Sequence, residues 1–324
     1  MGPEPRWARR YHLRVNRVGY LGPRGTFAEE ALVSQADLAS LEAVPMRSVP
    51  QVITAVELGE VDLGLVPLEN SIEGSVTATL DTLAFDTDLL IQREVDLPIC
   101  LSLGVKPGTS FDDVRIVISH PNPLGQTRQW LGKHLPAAET RVADSTAEAA
   151  RQVAFSPTGG DAAIANTRAL ALYGLEVLEE GIEDHPSETR FVVVGHGIPA
   201  PTGHDKTSLV CMQREDRPGT LLAILQEFAA RSINLTKVES RPTKRGLGQY
   251  CFFIDCRGHI ADELVADCLR NLVAKHADVK FLGSFAVAGE AEAVVRTQVA
   301  ESWRAAEAWV DDLRARVRPD AMPS

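Results

Sequence analysis

VDLGLVPLENSIEGSVTATLDTLAF, residues 61–85, decides the fold. VDLGLVPL (61–68) is a short apolar run that reads as a strand. ENSIEGS (69–75) interrupts it with polar residues and a glycine, and TATLDTLAF (77–85) resumes as a helix. A strand that ends in a polar loop ahead of a helix is the repeating unit of an α/β domain. The same alternation extends in both directions. RVGYLG (17–22) reads as a first strand, and PRGTFAEEALVSQA follows it with Thr26 and Glu29 at the spacing of a helix capping box. LPICLSLGV (97–105) and RIVIS (115–119) read as strands beyond a crossover. DSTAEAARQVA (144–154) repeats the capping spacing with Ser145 and Glu148, and AAIAN (162–166) and TRFVVVG (189–195) complete the strands. The α/β pattern therefore occupies residues 17–198.

PAPTGHDK (199–206) is rich in Pro and Gly and reads as a linker. Beyond it, TSLVCMQ, RPGTLLAILQEFAARSIN, LTKVESR, QYCFFIDC, DELVADCLRNLVAKH and VKFLGSFAV alternate as β-α-β-β-α-β over 207–288, a ferredoxin-like arrangement. In 289–324, Val295, Val299, Trp303, Ala306, Val310, Leu313 and Val317 recur at steps of four and three. That stripe predicts an amphipathic helix packed on the protein or on a sister subunit. Residues 1–16 read as a basic leader.

Composition narrows the function. The 324 residues carry 33 Lys and Arg against 44 Asp and Glu, a net charge of −11, which disfavours a nucleic-acid backbone as ligand. No run approaches the roughly 20 apolar residues of a membrane span. Five cysteines stand at 100, 211, 251, 256 and 268 without a Cys-x-x-Cys pair, so they read as small buried hydrophobes in a reducing cytosol.

Three polar clusters interrupt the apolar pattern. Glu69, Asn70 and Ser71 follow the carboxyl end of a strand, where open α/β sheets bind ligands; a plain turn capping the next helix has the same composition. Thr26, beside Gly25, suits an N-cap or a ligand contact. Thr189 and Arg190 begin an otherwise apolar strand, and the arginine needs either a protein carboxylate or an anionic ligand. His120 leaves a strand into the Pro-x-Pro turn of SHPNPLGQT, a position that suits a structural role or a ligand contact.

In combination these motifs resemble the prephenate dehydratases that carry a C-terminal ACT regulatory domain. The matching stretches are GPRGTF (22–27), VPLENSIEGSV (66–76), SHP (119–121), DSTAEAA (144–150), ANTRALALYGL (165–175) and TRF (189–191). They continue in RPGTLL (217–222), INLTKVESRP (233–242) and GQYCFFID (248–255), so the likeness covers about 17–286. It implies a two-lobed, periplasmic-binding-protein-like catalytic domain hinged near 97–105 and 189–195, followed by the ACT domain. The implied reaction is the decarboxylating dehydration of prephenate to phenylpyruvate in L-phenylalanine biosynthesis, without metal or organic cofactor.

By the same resemblance Thr189 donates the proton to the departing hydroxide and Arg190 holds a substrate carboxylate. Thr26, Glu69, Asn70, Ser71, His120, Ser145 and Phe191 complete the substrate site. Glu69 faces a dianion awkwardly; it suits either an acceptor of loop N–H groups or a partner that positions an arginine. L-Phenylalanine is the implied effector, bound between ACT domains of a homodimer or homotetramer by Gly219, Thr220, Leu221 and Leu222 and by Glu239, Ser240, Arg241 and Pro242. Thr220 and Leu222 depart from the family's Gly-Ala-Leu-Val. Two rival functions remain. An arogenate dehydratase would need an acidic group for the substrate ammonium, with Glu69 the candidate. A non-catalytic effector-binding regulator would need a helix-turn-helix, for which the leader is too short.

Overall fold

The computed structural model describes residues 16–213, 217–244, 246, 249–288 and 308–316. The chain begins with β1 (Arg17–Leu21), α1 (Phe27–Val33), α2 (Ala36–Ala39), β2 (Glu42–Met46), α3 (Val49–Leu58), β3 (Leu63–Asn70), β4 (Gly74–Ser75), α4 (Thr77–Phe85) and β5 (Leu90–Ile99). It then crosses to β6 (Ser102–Val105), β7 (Ile116–Ser119), α5 (Pro121–Gln126), α6 (Arg128–His134), β8 (Glu139–Val142), α7 (Thr146–Phe155), β9 (Asp161–Ala165), α8 (Thr167–Leu172) and β10 (Glu176–Glu180). It returns through β11 (Ser187–Gly195). The last module is β12 (Asp205–Gln213), α9 (Thr220–Ala229), β13 (Leu235–Pro242), β14 (Tyr250–Arg257), α10 (Glu263–Asn271) and β15 (Ala277–Ala286).

These strands form two sheets. The smaller has the order β10-β6-β9-β7-β8; the larger runs β13-β14-β12-β15-β5-β11-β3-β1-β2, with β4 against β3. Each lobe of the region before residue 199 is built on one of them. LPICLSLGV, expected as one strand, is divided: β5 ends at Ile99 in the larger sheet and β6 begins at Ser102 in the smaller. The second crossing between the sheets lies between β10 and β11, at 181–186, where Gly181 adopts φ +66°, ahead of the 189–195 expected for it. Residues 189–195 lie wholly inside the larger sheet, because β11 is hydrogen-bonded to β3 on one side and β5 on the other.

The smaller lobe closes on small residues. Ala147, Ala149 and Ala150 of α7 and Ala163 and Ala165 of β9 are fully buried together, letting helix and sheet approach closely. In the C-terminal module the order β13-β14-β12-β15 is ferredoxin-like as expected. Ile224, Phe228, Cys268 and Leu272 pack on Leu209, Cys211, Phe252, Ile254 and Cys256 of its sheet. Cys211, Cys251, Cys256 and Cys268 are buried and Cys100 is exposed, all as free thiols.

The linker is shorter than expected. β12 begins at Asp205, whose carboxylate accepts the backbone N–H groups of Thr202 and Gly203 at 2.9 Å each, and Lys206 is already buried. The sheet of the C-terminal module continues into that of the larger lobe: β15 meets β5 in parallel at Ala286 and Arg93. One apolar cluster joins Val192, Val194 and Ile91 of the larger lobe to Val210, Phe253, Leu282 and Phe285 of the C-terminal module. Gly283 makes the approach possible, since a Cβ there would lie 2.6 Å from the Ile91 carbonyl oxygen.

Among the described residues no helix is long and apolar enough to cross a membrane. Of the predicted C-terminal helix, residues 308–315 are helical, with Val310 half-buried and Leu313 exposed. Trp303 and leader residues 1–15 lie outside the described residues.

Candidate active site

β3 and β11 place the two polar clusters side by side: Thr189 stands opposite Asn70, and Arg190 opposite Glu69. Asn70 Oδ1 accepts the backbone N–H groups of Ile72 and Glu73 at 2.9 and 3.0 Å, which fixes the amide. Its Nδ2 donates to Thr189 Oγ1 at 3.0 Å. The Ser71 hydroxyl accepts the Glu188 N–H at 3.0 Å, and the Ser71 N–H donates to the Glu188 carbonyl at 2.9 Å. The loop after β3 is thus fastened to the start of β11. Thr189 can only accept from Asn70, so its own proton is available to another partner.

Side chains alternate along a strand, so Thr189 and Arg190 face opposite sides of the sheet. Phe191 and Val193 join one core cluster, and Val192 and Val194 join the other. Arg190 shares the second face and meets a protein carboxylate there: its Nε and Nη2 bond Asp96 at 2.9 Å each, and Nε lies 3.5 Å from Glu94. The bond to Asp96 outweighs burial and pushes the arginine's pKa well above its ordinary value. The two-point fork expected for a substrate carboxylate is therefore engaged within the protein. Phe191, expected at the substrate, is 2% exposed and packs in the core, so it supports the strand without reaching the cleft. Glu69 lies 3.5 Å from Lys237 of the C-terminal module, and its charge also acts on Arg190, which stands opposite it on β11.

Thr26 stands at the N-cap of α1 but makes no side-chain cap; its Oγ lies 3.0 Å from the carbonyls of both Leu21 and Pro23. The expected capping box is replaced by Glu29, which accepts the Gly25 N–H at 2.6 Å and meets Arg168 of α8 at 3.2 Å. Burial pushes Glu29 upward, yet the Gly25 and Arg168 bonds hold its pKa below the usual carboxylate value. Asn166 donates to Glu30 at 2.6 Å beside it, so α1 of one lobe is latched to α8 of the other.

In the smaller lobe His120 N-caps α5, its Nδ1 accepting the Asn122 N–H at 3.4 Å. Ser145 caps α7 as its spacing predicts, accepting the Glu148 N–H at 3.0 Å. The reciprocal half of that box is absent, because Glu148 turns to Arg151. A cavity of about 390 Å³ lies where the lobes meet, lined by Ile72 and Glu73 from the loop that Asn70 holds and by Gln126, Arg128, Gln129 and His185 opposite. Its volume suits a small organic ligand, for which about 300–1,000 Å³ is usual. Asp184 accepts the N–H groups of Gln129 and Trp130 at 2.9 Å each and so caps α6 at the cavity wall. Sequence reasoning missed Gln126, Arg128, Gln129 and His185. The polar run QTRQ directly after SHPNPLG was the available signal for the first three.

The expected effector residues occupy two places. Gly219 adopts φ +87° at the N-cap of α9, the Thr220 hydroxyl donates to the Arg217 carbonyl at 2.8 Å, Leu221 is half-buried and Leu222 is exposed. On β13, inward and outward residues alternate. Glu239 accepts the Ser75 hydroxyl at 2.6 Å and Arg241 meets Asp81 at 3.2 Å, both partners lying in the catalytic lobe. Ser240 and Pro242 point outward.

An α/β cleft fused to a ferredoxin-like sheet defines a ligand-handling protein with an appended regulatory module. The prephenate dehydratase family profile matches residues 18–198 and the ACT domain profile residues 207–274. The chain is 44% identical over 321 residues to the prephenate dehydratase of Mycobacterium tuberculosis, covering 94% of this chain and 98% of that one. It superposes with a TM-score of 0.85 and 39% identity on the prephenate dehydratase of Arthrobacter aurescens solved with L-Phe, over 92% and 99% of the two chains. A structure described as a quorum-quenching acylase, GqqA, matches at TM-score 0.76 and 25% identity over 84% and 98%. This chain belongs to the prephenate dehydratase family and carries that family's ACT domain.

Proposed function

We propose that the chain dehydrates and decarboxylates prephenate in the cavity between the lobes. The electron pair of the bond to the ring carboxylate enters the ring as CO2 leaves, the ring expels hydroxide, and Thr189 hydrogen-bonds that oxygen and passes it the proton that makes it water, regaining one from solvent. Membership of the family makes it a hydro-lyase. The observation that carries the assignment of Thr189 is its bond from Asn70. A hydroxyl that accepts a hydrogen bond is a stronger donor of its own proton, since bonds in a chain polarise one another. Aromatisation of the ring drives the reaction, so help for a poor leaving group suffices, and general acid catalysis is worth about 10²–10⁴-fold. Arg128 and His185 are the nearby candidates for the substrate carboxylates, because Arg190 is engaged with Asp96. Thr26, Ser71, His120 and Ser145 shape the loops and helix ends around this cleft.

L-Phenylalanine acts through the ACT domain as feedback inhibitor in at least a homodimer. The ACT match and the L-Phe complex of the Arthrobacter relative support this reading. So does β13, which is the outermost strand of its sheet and presents Val238 and Ser240 outward. Steady-state assay of purified protein on prephenate and on arogenate tests the substrate. Turnover of prephenate at a kcat/KM at least about tenfold higher is expected, a difference of about 1.4 kcal/mol in transition-state stabilisation. A preference for arogenate would overturn it.

A further inference from the structure

We propose that Lys206, supplied by the ACT domain, is a positioning residue for the dehydration: it neutralises Glu94 and so leaves Arg190 in its two-point bond with Asp96. The inference rests on the reading that β11 presents Thr189 to the substrate. On the face of the catalytic sheet turned toward the ACT domain, Glu69, Glu94 and Asp96 surround Arg190. The ACT domain brings two lysines to these acids. Lys237 lies 3.5 Å from Glu69, and Lys206 Nζ lies 2.7 Å from Glu94 Oε1.

The Lys206–Glu94 pair is closed to solvent, its side chains being 5% and 1% exposed. The oxygen that accepts from Lys206 also lies 3.5 Å from Arg190 Nε, and Glu94 Oε2 has no hydrogen-bond partner among the described residues. Asp255 and Ser208 of the ACT sheet complete the surroundings. Burial pushes the pKa of Asp255 up, while the Ser208 bond, Lys206 and Lys237 act against that rise.

A buried carboxylate without a counter-charge is strongly disfavoured. Without Lys206, Glu94 would draw on its other cation, Arg190, and pull it from Asp96. Arg190 adjoins Thr189 in the chain, so the strand that carries the hydroxyl would shift with it. A displacement of about 1 Å can cost about 10²-fold in rate. The catalytic strand is therefore completed by a residue from beyond the linker.

Full-length variants assayed on prephenate test this, each normalised to folded protein. Lys206→Met is expected to lower kcat about tenfold or more, with KM changed less than about threefold. Lys206→Arg should stay within about threefold of the parent, since the cation is kept. Lys206→Met/Glu94→Gln, which leaves no unpaired buried charge, should recover most of the lost kcat. A purely structural pair would lower the melting temperature in these variants and leave kcat of the folded enzyme alone. If Lys206→Met does not fold, Lys206→Gln takes its place: a loss in kcat of about tenfold or more supports the role, and kcat within about threefold of the parent overturns it. An Arg190→Lys enzyme with unchanged kinetics would overturn the role of β11 and this inference with it. A sensitive Arg190 beside an indifferent Lys206 would overturn this inference alone.

Discussion

The amide of Asn70 donates to the hydroxyl of Thr189 across 3.0 Å, joining residues 119 positions apart. Two loop N–H groups hold the other end of that amide, so the direction of the bond is set by the loop. The Thr189 hydroxyl accepts on that side and keeps its own proton for another acceptor.

Thr189→Ala should therefore lower kcat by about 10²-fold or more while KM changes little, because a donor that acts on the leaving group serves the transition state. Thr189→Ser, which keeps the hydroxyl, should retain most of the rate. Saturation kinetics on prephenate check both. A Thr189→Ala enzyme with near-normal kcat would remove this residue from the mechanism.

Asn70→Asp offers a sharper test. The carboxylate can still accept the Ile72 and Glu73 N–H groups, so the loop should hold. It cannot donate, and Thr189 must then turn its proton inward. A loss in kcat approaching that of Thr189→Ala is expected, and the double variant should lose little more than either single one, since the two residues act as a unit. Additive losses would show that they act independently.

Gly283→Ala should destabilise the protein by about 1–3 kcal/mol, the usual cost of overpacking. The new Cβ would meet the Ile91 backbone at 2.6 Å, and φ +143° is unfavourable for alanine. Because this seam joins the ACT sheet to β5, inhibition by phenylalanine should weaken as well. Chemical denaturation and inhibition curves check the two effects. An alanine variant of unchanged stability and inhibition would show that the seam is not close-packed.

Glu239 ties β13 to Ser75 of the catalytic lobe. Burial raises its pKa, but the Ser75 hydroxyl, Lys237 and Arg241 outweigh that and hold it below the usual carboxylate value. A lowered folded pKa stabilises the protein fully above the unfolded glutamate value of about 4.3 and loses that contribution as pH falls through the folded value. The stability difference between the parent and Glu239→Gln should thus be constant near neutrality and shrink below about pH 4. Denaturation at several pH values measures it, and a difference that grew on acidification would refute the sign.

Much of the architecture was legible along the chain. The strand runs at 17–22, 115–119 and 162–166, the helix at 77–85 and the βαββαβ order of 207–286 follow from local period and turn chemistry, and all appear in the structure. Ser145 caps α7 as its spacing demands. Thr26 has the same spacing and does not cap α1, because its hydroxyl bonds the Leu21 and Pro23 carbonyls; the Glu29 carboxylate turns to Gly25 and to Arg168, a partner 139 residues away that no local pattern registers.

The sequence by itself determined which residues could carry chemistry: an amide and hydroxyls at strand ends, and an arginine beside a threonine. Tertiary structure decided what each of them faces. Strand alternation sends Thr189 and Arg190 to opposite sides of one sheet, and only the pairing of β11 with β5 brings Asp96 to the arginine. The division of 97–105 between two sheets and the seam at Gly283 have the same origin. Local pattern encodes period and caps through near neighbours; the partner of a charge depends on which distant strand lies alongside, and that is set by the folded sheet.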